Sequence, residues 1–226
     1  MLVYISLEYL ARDSLIAGIL LVYVMIVVFA TKKLYHLMTA KGVKHNVAVY
    51  YNRKIIHMAA GGVVAILVPL LFHEPLVPFI MALILALFTY LPHKRKKLMY
   101  WFQVEDNMYE VNFCIAWGFA VLILWLVFGD PRIAILPPML ISFGDAITGI
   151  VRNAIFGRRT KHWIGNVAMA ALTIPLGFLY VGIVGGITSA IASIVERFEF
   201  NPIDDNLLIG LISTMILLIA RILAII

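Results

Sequence analysis

The chain has 226 residues, of which 63% are hydrophobic and only 13% are charged. This composition excludes a soluble globular protein and predicts an all-α polytopic membrane protein, with one transmembrane domain over residues 1–226. The net charge of +6 is expected to mark cytoplasmic loops that face anionic lipid headgroups, so nucleic-acid binding is not expected. The single cysteine, Cys114, offers neither a disulfide framework nor a cysteine-based metal site.

About eight transmembrane helices are predicted from the apolar runs, because about 20 apolar residues are needed to cross a hydrocarbon core of about 30 Å. The N-terminal segment lacks a basic region and a cleavage site, so no cleaved signal peptide is expected. Pro137 and Pro138 should kink the fifth span. A glycine-rich turn at 182–186 should separate the sixth span from the seventh. The predicted spans cover residues 14–34, 55–72, 76–91, 113–128, 132–156, 165–181, a short seventh that ends near 195, and 207–226.

Lys and Arg are concentrated in the odd-numbered connections between these spans. Of the 18 Lys and Arg residues, only Arg12, Arg132 and Arg221 lie outside these connections and the helix ends that flank them. The positive-inside rule therefore predicts that the odd connections are cytoplasmic and that both termini lie outside. The membrane would be the plasma membrane of a prokaryote or an ER-type membrane.

The segment SFGDAITGIVRNAIFGRRTKHWIGNVAM places Asp145 inside an apolar helix. An ionisable residue at membrane depth is costly and is by default a functional candidate. A carboxylate that only packs helices together is the alternative, but it does not explain the basic residues Arg158, Arg159 and Lys161 that follow. Together these residues predict a divalent metal and a polyphosphate.

Two further groups approach the same predicted face. In RKIIH, Lys54 and His57 share a helix face at i and i+3, and with Arg53 they are suited to holding a phosphate. Arg53 and Lys54 are alternatively ordinary interfacial anchors.

In IDDN, hard oxygen ligands of the kind that Mg²⁺ takes come from Asp205 and Asn206. The alternative is that Asp204 and its neighbours only cap the helix that follows. Glu105, Asp106 and Glu110 are further candidate ligands or bases, although solvated loop charges are more common.

The nucleotide and catalytic motifs that depend on a local pattern are absent. The chain has no Gly-rich Walker loop, no Gly-x-Gly-x-x-Gly fingerprint and no His-Glu-x-x-His metal motif. Phosphoryl transfer requires none of them, since it rests on positioning, metal ions and cationic stabilisation of the transferring group.

The segments RKIIHMAAGG, FGDAITGIVRNAIFGRRTKHWIGNVAM and IDDNLLIGL resemble, in order, the motifs of the CTP-dependent polyprenol kinase family. That family includes dolichol kinase, phytol kinase and a CTP-dependent diacylglycerol kinase, and the resemblance covers residues 50–226. The portion from Gly144 to the basic hairpin is more distantly similar to CDP-diacylglycerol and CDP-archaeol synthases. The resemblance implies transfer of the γ-phosphate of CTP, with Mg²⁺, to the hydroxyl of a polyprenol or dolichol at the cytoplasmic membrane face. Geranylgeraniol, phytol and diacylglycerol are alternative acceptors.

The expected roles combine the residue patterns with this resemblance. The metal ligands would be Asp145, Asp205 and Asn206. The catalytic residues would be Asp145, Lys54 and His57, with Asp204, Glu105 or His57 as the base. The expected nucleotide and phosphate ligands are Arg53, Lys54, Arg158, Arg159, Lys161 and Asn166.

The sequence departs from the family pattern at one point. The run from Lys161 to Gly165 reads KHWIG, where the family usually has Lys-Ser-x-Glu-Gly, so His162 and Ile164 replace a serine and a glutamate. Either the carboxylate's role has moved, with Asp204 or Glu105 as candidates, or the activity differs. The alternative functions are a cytidylyltransferase that makes a CDP-lipid and a transporter or scramblase that uses the intramembrane acid.

Overall fold

A computed structural model describes residues 7–158, 160–200 and 203–226. Within these ranges the chain forms seven helices that are long and apolar enough to cross a membrane, and the only bridge between extended segments is an isolated pair, Phe200 and Ile203. The prediction of an all-helical membrane protein is therefore confirmed. The helices are α1 Leu7–Ala40, α2 His45–Leu71, α3 Leu76–Lys94, α4 Tyr109–Phe128, α5 Pro131–Phe156, α6 Trp163–Val195 and α7 Asp205–Ile222.

Helix α5 forms the centre of the bundle. Its residues Ile135, Leu136, Leu140 and Ile141 are completely buried, whereas α1 carries large apolar side chains that are exposed on its outer surface. Exposed apolar side chains of this kind suit a helix that faces lipid. The residue with the strongest functional prediction, Asp145, thus lies on the most enclosed helix.

Helix α5 is irregular in its first half. It consists of a turn at Pro131–Ala134, a turn at Leu136–Met139, a π-helical segment Leu140–Gly144 and a regular helix Asp145–Phe156. Proline removes a backbone donor, so Pro137 and Pro138 account for the break. A second π-helical segment, His57–Gly62, lies inside α2 and packs against that of α5. Segments of this type often occur at functional sites, and here each one borders a candidate catalytic residue.

Helix α2 begins earlier than the sequence suggests. Residues 35–54 were expected to form a loop, but α1 continues to Ala40 and α2 starts at His45. Asn52 fixes this extra length, because its amide donates hydrogen bonds to the carbonyl oxygens of Thr31 and Trp101 at 2.8 and 2.9 Å. The predicted start of the second span at residue 55 is therefore wrong, and Arg53 lies inside α2.

Helix α6 folds back on itself. The backbone leaves helical geometry at Val181 and at Gly182, whose φ of 61° and ψ of −146° suit only glycine. A Cβ on Gly177 would collide with the backbone of Gly185, and the reverse is also true. Since residues eight apart in a straight helix lie about 12 Å apart, the two halves of α6 must pack side by side.

The start of α1 and the end of α7 lie at the same end of the bundle. Near the start of α1, Asp13 binds His73, which follows the end of α2. Near the end of α7, the guanidinium of Arg221 lies 5.7 Å from the ring centroid of Phe128, the last residue of α4. Both contacts are at the ends of α2 and α4 that lie away from the candidate site.

Candidate functional site

Asp145 and Lys54 form a buried ion pair. The Nζ atom of Lys54 donates to both carboxylate oxygens of Asp145, at 2.6 and 2.5 Å, and the two side chains are 4% and 1% exposed. Gly149, one turn after Asp145, permits this approach, because a Cβ there would collide with the hydroxyl of Tyr50 and with Lys54. The pair joins α2 to α5 at the point where both helices are irregular.

His57 lies one turn further along α2. Its Nδ1 atom is 3.6 Å from the nearer oxygen of Asp145, and its ring stacks on Phe113 at a centroid distance of 4.1 Å. Neither ring nitrogen has a hydrogen-bond partner among the described residues, although the side chain is buried. Unpartnered buried polar atoms in a native protein call for an explanation, and a ligand is one.

Three carboxylates from different helices converge beside this pair. Oxygen atoms of Asp145, Glu196 and Asp205 lie within 4.8 Å of one another, and all three residues are buried. The Oδ1 atom of the neighbouring Asn206 is buried without a hydrogen-bond partner in the described part of the chain. Carboxylate and amide oxygens in this number form a donor set that fits Mg²⁺.

Lys161 and Arg152 hold the acidic groups together. The Nζ atom of Lys161 donates to Oδ2 of Asp205 and to the carbonyl oxygen of Glu196, both at 2.9 Å. Burial acts to lower the pKa of Lys161, but the carboxylates of Asp205 and Glu196 outweigh it and the pKa is raised. Arg152 donates to Oε1 of Glu196 and to the side-chain oxygen of Asn166, both at 2.8 Å.

The pKa of Glu196 itself is raised, because burial outweighs the stabilising effect of Lys161 and Arg152. Either a proton or a cation bound beside Glu196 would relieve this cost of burial.

Asp204 is the N-cap residue of α7. Its Oδ1 atom accepts a hydrogen bond from the backbone of Leu207 at 3.0 Å and caps α7, while Asn112 donates to its other oxygen at 3.1 Å. Burial and the Asp205 carboxylate raise the pKa of Asp204 to about 7. The two readings of this motif therefore divide between neighbours, since Asp204 is the cap and Asp205 joins the acidic cluster.

Several of these groups line a small polar pocket. The guanidinium of Arg53 lies 4.1 Å from the ring centroid of Tyr109 and 5.6 Å from that of Tyr50. The hydroxyl of Thr160 also lines the pocket and is buried without a partner among the residues described. The remaining side chains that line the pocket are Lys54, Arg152, Lys161, Glu196, Asp205 and Asn206.

Two other cavities lie near the polar pocket. A cleft shares Tyr50, Arg53 and Tyr109 with it. An apolar cavity lies between α1, α2, α3 and α4, and His57 forms part of its wall. Because His57 also lies beside Asp145, it stands between a hydrocarbon-lined space and the charged pocket.

Not every predicted residue joins this pocket. Glu105 and Arg158 are exposed and make no hydrogen bond or ion pair with the described residues. Asn166 binds Arg152 and Glu196 instead of lining the pocket, so it acts behind the pocket wall. Arg159 lies outside the described residues.

The structure adds residues that the sequence did not single out, chiefly Glu196, Arg152, Tyr50 and Tyr109. Arg152 carried a usable signal, because it lies seven residues after Asp145 and hence on the same helix face. Glu196 carried none, since a charged residue directly after an apolar span is ordinary.

No protein-family model, no curated protein and no solved structure matches this chain.

Proposed function

We propose that the protein is a CTP-dependent lipid-alcohol kinase of the polyprenol kinase type, which transfers the γ-phosphate of CTP to the hydroxyl of an isoprenoid alcohol. The observation that carries the proposal is the position of the Lys54–Asp145 pair and His57. They separate a pocket of acids and bases from a cavity lined by hydrocarbon. A phosphoryl transfer between a soluble nucleotide and a membrane alcohol requires those two environments to meet.

The polar pocket is the proposed triphosphate site. Arg53, Lys54 and Lys161 supply the positive charge that phosphoryl transfer requires. The adjoining cleft, which shares Tyr50 and Tyr109 with the pocket, is the proposed site of the nucleoside. The aromatic rings on its wall suit a base, because stacking on an aromatic side chain stabilises any base.

Mg²⁺ fits the acidic cluster, and Asp145, Glu196, Asp205 and Asn206 are the residues that would hold it. When bound, the ion neutralises charge on the phosphates. We further propose that Glu196 replaces the carboxylate that the family pattern has at position 164, where this chain has Ile164. Lys161 supports this assignment, because it contacts both Glu196 and Asp205.

The apolar cavity is the proposed site of the acceptor chain. His57 lies where the hydroxyl of a bound alcohol would approach the nucleotide. Its two ring nitrogens have no hydrogen-bond partner among the described residues and are suited to orienting that hydroxyl. The chain of the alcohol would contact apolar residues on four helices, including Val24, Val64 and Trp117. Burial of apolar surface stabilises a complex by about 25 cal/mol per Å², and this free energy would provide the affinity for the chain.

We propose that the two halves of α6 cross the membrane separately, which gives eight crossings. The contact between Gly177 and Gly185 and the hydrogen bond from Asn166 to the carbonyl of Ser193 at 2.5 Å support this arrangement. With eight crossings, both termini lie on the side opposite the pocket. The excess of Lys and Arg near the pocket supports a cytoplasmic location for it.

The decisive experiment uses purified protein in lipid nanodiscs with Mg²⁺ and CTP labelled at either the α- or the γ-phosphate. Polyprenol, geranylgeraniol, phytol and diacylglycerol are offered in parallel, and the lipids are separated by thin-layer chromatography. We expect the γ label, and not the α label, in one class of alcohol. Transfer of the α label would establish a cytidylyltransferase instead, and transfer of neither label would contradict an enzyme of either type.

A further inference from the structure

A second buried carboxylate, Glu110, faces the apolar cavity and is only 5% exposed. Its Oε1 atom accepts hydrogen bonds from Nε2 of His93 and Nε2 of Gln103, both at 2.6 Å. Its Oε2 atom is buried and has no partner in the described ranges. Leaving a buried acceptor without a donor is destabilising, and more so when the acceptor is charged.

The side chains around Glu110 do not supply the missing donor. Gln103 uses its amide group on Glu110 and on the carbonyl oxygen of Thr89, the latter at 2.8 Å. The hydroxyl of Thr89 donates to the carbonyl of Leu85 in its own helix at 2.9 Å. The indole N–H of Trp117 donates to the carbonyl oxygen of Gly61 at 3.2 Å, and the rest of the wall is apolar apart from His57 and the weakly polar Cys114. A donor for Oε2 must therefore come from a molecule inside the cavity.

Glu110 also lies close to the reactive end of the cavity. Phe113, one helical turn after Glu110 on α4, stacks on His57 at 4.1 Å. Side chains at i and i+3 share a helix face, with Cβ atoms about 5–6 Å apart. Glu110 and His57 thus occupy adjoining parts of one wall, while the remainder of the cavity is hydrocarbon. This arrangement matches a molecule with one hydroxyl at the end of a long apolar chain.

We propose that Oε2 of Glu110 accepts the hydroxyl hydrogen of the long-chain alcohol in this cavity. The hydrogen bond makes Glu110 the residue that selects an alcohol over an equally apolar molecule without a hydroxyl. His93 and Gln103 act as positioning residues, because they hold Oε1 and turn Oε2 towards the cavity. This inference rests on the proposed function, since it gives the acceptor's hydroxyl a binding partner.

The test measures binding without nucleotide, so that it does not depend on catalysis. Radiolabelled geranylgeraniol is bound to the protein in nanodiscs and displaced by unlabelled geranylgeraniol or by its methyl ether, which has the same chain but no donor. We expect the wild-type protein to prefer the alcohol about tenfold, which corresponds to one net hydrogen bond. In Glu110→Gln the amide group can donate equally to an alcohol or an ether oxygen, so the preference should disappear. Glu105→Gln, an exposed substitution in the preceding loop, should keep it.

Two results would overturn the inference. Equal affinities of the wild type for alcohol and ether would mean that Oε2 binds a water molecule and not the lipid, and this comparison needs no variant to fold. A preserved preference in Glu110→Gln would assign selectivity to another residue. Failure to bind either compound, together with no transfer of the γ label from CTP, would instead contradict the lipid-alcohol kinase itself.

Discussion

The protein buries a carboxylate at each end of the bundle, and the two are paired in different ways. At the far end, Asp13 is fully buried, and both of its oxygens bind His73, one through the backbone at 2.8 Å and one through the ring at 2.9 Å. At the other end, Lys54 binds Asp145. Buried polar atoms near this pair have no hydrogen-bond partner among the described residues, and they belong to His57, Thr160 and Asn206. Burial of an acid is therefore a weak sign of function. Unpartnered neighbours are the stronger sign.

Glu74 at the far end is an informative exception. One of its oxygens is buried without a described partner. Burial raises the pKa of Glu74, and the nearby charge of Asp13 raises it further. An acid with a raised pKa can relieve the cost of burial by taking up a proton. No other polar group without a partner lies near it among the described residues, so no ligand is required there.

The largest expected effect is from Asp145→Asn. We expect transfer of the γ-phosphate to fall at least about 10³-fold, because the change removes a proposed metal ligand and the partner of Lys54. Leaving Lys54 buried without its partner should also cost about 3–5 kcal/mol of stability. The measurements are turnover of labelled CTP and thermal unfolding in detergent.

The double variant Lys54→Met with Asp145→Leu is the matched control for this prediction. Replacing both charges by apolar groups is often neutral or stabilising, so the double variant should unfold close to the wild-type temperature and still be inactive. Activity near the wild-type level in either variant would show that this pair, like Asp13 and His73, is only structural.

Asp205→Asn should have the next largest effect. We expect activity to fall about 10²-fold and the Mg²⁺ concentration for half-maximal activity to rise, since outer and inner metal ligands typically contribute 10- to 100-fold in metal affinity. Asp204→Asn is the control, because an asparagine caps a helix almost as well as an aspartate. It should leave the Mg²⁺ requirement unchanged. Equal shifts in the two variants would remove the distinction between cap and ligand.

The membrane class and the main site residues follow from the sequence for physical reasons. Long apolar runs in a chain with few charges can only be stable in lipid, and Asp145, Lys54 and Asp205 stand out because burying their charges is costly. The fold-back of α6 was indicated by the glycine-rich segment. The exact position of the fold-back depends on Gly182, whose backbone φ angle is 61°.

Other features depend on contacts between distant parts of the chain. The local sequence allows Arg53 and Lys54 to be ordinary interfacial anchors. Lys54 is nevertheless buried, because Asp145, 91 residues away in the sequence, neutralises its charge. Glu196 meets Arg152 across 44 residues, and nothing in its local sequence indicates this. The π-helical turns and the cavities likewise arise from packing. A local pattern identifies the cost of a buried charge but not its partner.

At the far end, Asp13→Asn should change stability and leave activity intact. One of the two hydrogen bonds to His73 would be weakened, and we expect a loss of about 1–3 kcal/mol in the free energy of unfolding, measured by denaturation in detergent. Asp130→Asn is the control at the same end. Asp130 forms an ion pair with Arg132 in which the Arg132 side chain is 70% exposed and the Asp130 side chain 30%, and exposed pairs of this kind contribute about 0–1 kcal/mol. A large loss of transfer activity in Asp13→Asn would show that the far end is coupled to the site.

The smallest expected effect, from Thr160→Val, separates a ligand site from a structural cluster most directly. If the unpartnered hydroxyl of Thr160 binds nothing, its removal eliminates a desolvation cost and is neutral or stabilising by about 1 kcal/mol, with nucleotide affinity unchanged. If it binds a phosphate oxygen, the same substitution should stabilise the free protein and weaken CTP binding by about three- to tenfold, because the compensating hydrogen bond exists only in the complex. Thermal unfolding with and without CTP measures both quantities in one experiment. A stabilisation that is largely lost when CTP is present would mark Thr160 as part of a binding site, whereas equal shifts with and without CTP would indicate a structural hydroxyl.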